Sequence, residues 1–169
     1  MTDTVAEHRQ ASPEQVRCGV ITVSDTRTLA DDRGGALIVE LLSGAGHSVA
    51  AREIVPDEPA RIGALVAEWR DRTEIDAILL TGGTGISRRD QTFETIDALL
   101  TKQLTGYGEL FRVLSYQEIG AAAMLSRALG GVAETTVVLT MPGSPNAVRL
   151  AMEKLILPEL RHLVREATR

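Results

Sequence analysis

The sequence predicts an α/β fold, a three-layer α/β/α sandwich built on a mostly parallel sheet. Three observations lead there. Short runs rich in β-branched residues recur along the chain, they are apolar throughout, and segments of helical periodicity separate them. "RCGVITVS" (17–24) is the first run, and "GGALIVELLSGAG" (34–46) is a helix closed by glycine. "HSVAAREIV" (47–55) alternates like a strand. In "PARIGALVAEWRDR" (59–72), Ile62, Leu65, Val66 and Trp69 share one helical face. "IDAILLT" (75–81) is a buried strand by composition. A longer helical region is expected over 92–130, broken at Gly106, Gly108 and Gly120. "TTVVLTM" (135–141) is the last buried strand. The final helix opens on Ser144 as N-cap and Pro145 at its first position, and Pro158 is expected to kink or divide it.

Composition bounds the function. The 169 residues suit one domain, expected over 17–169, after a polar tail at 1–16 read as mobile. Hydrophobic residues at 44% and charged residues at 24% are the proportions of a soluble globular protein. No apolar run approaches the ~20 residues that span a bilayer, and "MTDTVAEHRQASPEQ" lacks the core of a signal peptide. Cys18, the single cysteine, has no internal partner, so a cytoplasmic location is expected. His8, His47 and His162 lie far apart with no second cysteine, which disfavours zinc. A net charge of −5 and few aromatics argue against nucleic acid.

In parallel sheets, ligands bind beyond the carboxyl ends of the strands. The segments expected there are "SDTRTLADDRGG" (24–35), "PDE" (56–58), "GGTG" (82–85) and "PGSPN" (142–146). Gly82, Gly83 and Gly85 suit a nest of backbone N–H groups, with Thr84 adding a hydroxyl. Taken alone, "GGTG" is better explained by a tight turn, since it is neither a Walker loop nor a GxGxxG fingerprint. Asp57 and Asp90 each follow a buried strand at a loop. Facing a phosphate cradle they would hold Mg²⁺, although either suits a solvated or capping position. Pro142, Gly143 and Ser144 form a second strand-to-helix turn, and Ser24 and Asp25 leave the first strand in the same way. Ser126 and Arg127, in "MLSRALGG", are candidates to hold another anionic group. Leu110, Phe111, Leu114, Ile119, Met124 and Leu125 exceed what one helix face buries, which points to a homo-oligomer interface.

Taken together, "ITVSDT", "IVPDE", "LLTGGTGISRRD", "LSRALGG" and "MPGSPNAV" resemble, in this order, the MoaB/Mog family of molybdenum-cofactor biosynthesis proteins. The resemblance covers about 17–165, and "LSYQEIG" with the short C-terminus is closer to the MoaB branch. It implies the sandwich above, assembled as a trimer or hexamer. It also implies molybdopterin adenylyltransferase activity, in which ATP and molybdopterin give adenylyl-molybdopterin and pyrophosphate with Mg²⁺. By similarity, Asp57 and Asp90 match the family's two essential acidic positions. The alternative is a non-catalytic molybdopterin-binding protein of the same fold. One departure stands out: "DRGG" places Gly34 where relatives often carry serine, which removes a side-chain contact and leaves the backbone N–H.

Overall fold

The computed structural model describes residues 12–169. The elements, in chain order, are β1 (Arg17–Val23), α1 (Arg33–Gly44), β2 (Ser48–Val55), α2 (Pro59–Arg70), β3 (Ala77–Thr81), α3 (Thr92–Asp97) and β4 (Lys102–Gln103). They continue with α4 (Thr105–Ile119), a 3₁₀ segment (Gly120–Leu125), β5 (Gly130–Ala133), β6 (Thr136–Met141), α5 (Pro145–Ala151), a π-helical turn (Met152–Ile156) and α6 (Leu157–Ala167). One six-stranded sheet has the order β2-β1-β3-β6-β5-β4. The first four strands pair in parallel, and β5 and β4 add an antiparallel edge.

Alternation along the strands builds the three layers. Cys18, Val20, Ala77, Leu79, Leu139 and Met141 pack with Ile38, Phe111 and the last helices on one face. Ile21, Val23, Ile78, Leu80 and Val138 meet Ile62, Val66 and Trp69 of α2 and Ile96 of α3 on the other. Because β3 and β6 are buried on both faces, their sequences are continuous apolar runs. Among the described residues, no helix is long and apolar enough to cross a membrane.

Three expectations change, and the one for Pro158 is met. Residues 12–16 of the expected tail are docked: Val16 is fully buried, its N–H donates to His47 Nδ1 (3.2 Å), and Gln15 Nε2 donates to Gly46 O (3.1 Å). The remainder of that tail, 1–11, lies outside the described residues. Gly106 and Gly108 do not break a helix but sit in the first turns of α4. There the missing Cβ of Gly108 lets α4 approach the Ala128 carbonyl. The stretch read as helical over 92–130 also contains β4 and the start of β5. Pro158 sits near the start of α6, and the wider π-helical turn just before it accommodates the missing donor, so the final helix is divided into α5 and α6.

Candidate functional site

The chain passes from β1 to β2 on one side, then crosses back so that β3 flanks β1 on the other. The strand order reverses there, and residues at the carboxyl ends of β1 and β3 line a crevice. Thr81 Oγ1 donates to Pro142 O (3.0 Å) and ties the ends of β3 and β6 together. Two hollows flank that tie. The first, of about 490 Å³, is lined by Thr22, Ser24, Arg27, Arg33 and Gly34. The second, of about 370 Å³, is lined by Thr84, Gly85, Asp90, Ser115, Ser126 and Ser144. Gly82 and Gly143 line both.

The glycine loop is glycine for steric reasons. Gly82 and Gly83 have φ of +101° and +66°, where L side chains are rarely found. A Cβ on Gly82 would collide with the Val23 carbonyl. One on Gly83 would collide with Thr92 Oγ1 and stand 2.7 Å from Asp57 Oδ2. The loop is pinned from behind by the Thr92 N–H, which donates to Gly83 O (3.1 Å).

The two carboxylates flank this loop in different settings. Asp57 is 8% exposed, and its Oδ1 accepts the Gln91 N–H (3.0 Å). Burial raises its pKa above the ordinary carboxylate range, and the charges of Asp90 and Asp25 add to that against the opposing Gln91 N–H bond. Asp90 lines the second hollow, where Oδ2 accepts the Ser87 N–H (2.8 Å) and would stand 2.7 Å from a Cβ on Gly85. Among the described residues, no group of three or more His, Cys, Asp or Glu could hold a metal. Asp57 lines neither hollow and Asp90 lines the second, so the two bracket the glycine loop. Carboxylates are the donor type a cation of the Mg²⁺ kind takes, with waters and phosphate oxygens as its usual further ligands.

The other residues singled out in the sequence fall into two groups. Pro142, Gly143, Ser144, Ser24 and Ser126 line the hollows. Ser144 caps α5 by accepting the Ala147 N–H, and the buried Ser126 Oγ finds no hydrogen-bond partner among the described residues. Asp25 and Arg127 are braces. Asp25 accepts from Arg89 Nη2 (2.7 Å) and Nε (3.1 Å) and from the Asp57 N–H (3.0 Å), so it joins the loops after β1, β2 and β3. The Arg89 bond, then the Asp57 N–H, holds its carboxyl below the usual range. Arg127 donates to Gly85 O (2.8 Å) and Asp90 O (3.2 Å), pairs with Glu94, and lies over the Phe93 ring. Its guanidinium is spent on the loop that carries Asp90. At the first hollow, Asp32 caps α1 through Gly35 N (2.9 Å), accepts from Thr22 Oγ1 (2.7 Å) and pairs with Arg52 (3.0 Å). Gly34 lies buried, with room for a Cβ only 3.3 Å from Gly143 O.

Sequence reasoning missed Ser115, Thr22 and Thr92. Ser115 sits within a helix whose spacing marks only its apolar face. The two threonines sit in buried positions that sequence alone does not distinguish from core.

Fold and site together define an α/β protein with a two-part crevice at the carboxyl ends of its parallel strands. The family described as "Probable molybdopterin binding domain" matches residues 19–162. "Molybdenum cofactor biosynthesis protein B" of Bacillus anthracis is 51% identical over 167 residues, covering 98% of this chain and 99% of that one. Its Bacillus subtilis (strain 168) counterpart is 53% identical over 164 residues, 96% of each. A solved structure of a molybdenum cofactor biosynthesis protein B superposes with a TM-score of 0.90 at 52% identity, over 92% of this chain and 98% of that one. That of the tungsten cofactor synthesizing protein MoaB from Pyrococcus furiosus gives 0.82 at 39%, over 94% and 100%. The chain belongs to the MoaB/Mog family of molybdopterin-binding-domain proteins.

Proposed function

We propose that this protein is a molybdopterin adenylyltransferase of molybdenum cofactor biosynthesis, transferring AMP from ATP to the terminal phosphate of molybdopterin. One observation carries the reading: two hollows, each large enough for part of a ligand, share Gly82 and Gly143 as a common rim. Two phosphate groups bound on either side would meet there. A terminal phosphate oxygen of molybdopterin attacks the α-phosphorus of ATP, the bond from that phosphorus to the α,β-bridging oxygen breaks, and pyrophosphate leaves. A phosphate monoester is a nucleophile at neutral pH, so the site needs no strong base and works by positioning and charge neutralisation. Asp57 and Asp90 would hold the Mg²⁺, which supplies neutralising charge to the phosphates when bound. The glycine-loop amides and the hydroxyls of Thr84 and Ser126 orient the phosphate chain. The protein acts in the cytoplasm as a homo-oligomer, trimer or hexamer.

The test is pyrophosphate release from ATP with purified molybdopterin, with and without Mg²⁺, for wild type and Asp90→Asn. Wild type is expected to turn over only with Mg²⁺. Asp90→Asn should lose roughly 10²–10³ in rate, the ~3–4 kcal/mol typical of a lost charge-stabilising group, while its melting temperature is kept. Binding of molybdopterin without turnover would make the protein a carrier of the same fold. Turnover by the Asp90→Asn variant within a few-fold of wild type would remove the carboxylate from the chemistry.

A further inference from the structure

Thr92 is fully buried, yet its Oγ1 finds no hydrogen-bond partner among the described residues. Four of the other five buried threonines show that this fold readily satisfies such groups. Thr22 donates to Asp32, Thr81 to Pro142 O, Thr136 to Arg70 O and Thr140 to Leu129 O. An orphaned buried hydroxyl costs stability and needs a reason. Helix capping is not that reason, because Thr92 opens α3 and no side-chain cap bond is made there. What distinguishes Thr92 is its place. Its Oγ1 and Asp57 Oδ2 both border the small volume beside the Gly83 α-carbon, which a Cβ would fill. Its N–H holds Gly83 O, and the N–H of the preceding Gln91 holds Asp57 Oδ1.

We propose that Thr92 is a positioning residue: its hydroxyl stands behind the glycine loop and hydrogen-bonds Asp57 Oδ2 when a nucleotide triphosphate bound at that loop reorients the carboxylate. The apo chain carries an unpaired hydroxyl, and the loaded chain pairs it. This rests on the adenylyltransferase reading only for the choice of ligand. A purely structural threonine would make the opposite trade, paired in the apo fold and indifferent to ligand.

Two variants of the full chain separate the roles. Thr92→Val keeps the shape and deletes the hydroxyl, and Thr92→Ser keeps the hydroxyl and deletes a methyl. Thermal unfolding without ligand and calorimetric titration with Mg-ATP are measured for both. Thr92→Val should melt at or up to about 4 °C above wild type, having lost an unpaired polar atom, and bind Mg-ATP about tenfold or more weakly. Thr92→Ser should melt lower and keep the wild-type affinity within about twofold. A Thr92→Val midpoint several degrees below wild type, or an unchanged affinity, overturns the proposal. Absence of Mg-ATP binding by the wild type would instead overturn the nucleotide reading, and the role of Thr92 with it.

Discussion

Replacing Gly83 and Gly85 by alanine separates the two demands placed on the loop. At Gly83 the backbone sits at φ +66°, which costs an L residue about 1–2 kcal/mol. The added Cβ also collides with Thr92 Oγ1 and crowds Asp57 Oδ2, both buried, so an overpacking cost of about 1–3 kcal/mol is expected in addition. For a domain of this size each kcal/mol lowers the melting temperature by about 2–4 °C, so Gly83→Ala should melt roughly 10 °C below wild type. Gly85 is not in the left-handed region. Its Cβ would meet only the carboxylate end of Asp90, a partly buried side chain at the rim of the second hollow that can swing aside. Gly85→Ala should therefore melt within about 3 °C of wild type and yet lose turnover, because Asp90 leaves its place over the loop. Circular dichroism melts and pyrophosphate release read the two effects. A Gly83→Ala protein as stable as wild type would refute the steric argument, as would a Gly85→Ala protein equally destabilised.

Acid should weaken the fold over two pH ranges. Burial, and then the charge of Arg161, lowers the pKa of His47, whose Nδ1 accepts the Val16 N–H. Its contribution is present above the unfolded value of about 6.5 and is lost as pH falls below it. Burial pushes the Asp32 carboxyl up, but the Gly35 N–H, Thr22 hydroxyl and Arg52 outweigh it, so the pKa is lowered and this contribution goes only below about 4. Urea unfolding from pH 8 to 3 should show both losses, with His47→Gln removing the first; a flat profile between pH 7 and 5 would refute it. Assembly is the other expectation: Leu110, Val113, Tyr116, Ile119 and Met124 are more than half exposed along α4 and the segment after it, although Phe111 is buried. Light scattering at micromolar concentration should find a homo-oligomer that survives chelation and that Val113→Glu dissociates, whereas a monomeric wild type would refute the interface.

Much of this molecule is legible in its sequence, and the illegible parts share a cause. The buried strands are readable because double-sided burial leaves continuous apolar runs such as "AILLT" and "TVVLTM". Their loops are readable because strands in parallel send their carboxyl ends to one edge. The β5–β6 hairpin is not, since its turn uses Glu134 at φ +56° where glycine or asparagine would have announced it. The edge strand β4 is two exposed residues, Lys102 and Gln103, with no pattern to read. Gly108 reads as a helix breaker, and only the approach of the Ala128 carbonyl explains it. Composition marks Asp25 and Arg127 as charged but not where their partners are: Asp25 meets Arg89 and Arg127 meets Asp90, each far along the chain.

Those partners decide how the crevice works. Asp25 joins the Asp57 N–H to Arg89, Arg127 joins Gly85 to Asp90, and Thr81 joins β3 to the loop after β6. Every loop at this edge is thereby tied to another by a side chain rather than left to find its place when ligand arrives. Asp25, Arg89, Arg127 and Glu94 are spent on one another, while amides, hydroxyls and Asp90 line the second hollow. That division suits phosphate chemistry. Amides fixed by the backbone cost no reorganisation as charge shifts during transfer, whereas free arginines would have to be ordered at that moment. Under the proposed function it also explains how a chain with a net charge of −5 would hold phosphates. Local dipoles would act at the second hollow and Arg27 and Arg33 at the first, while overall charge acts mainly on approach from a distance, where salt screens it.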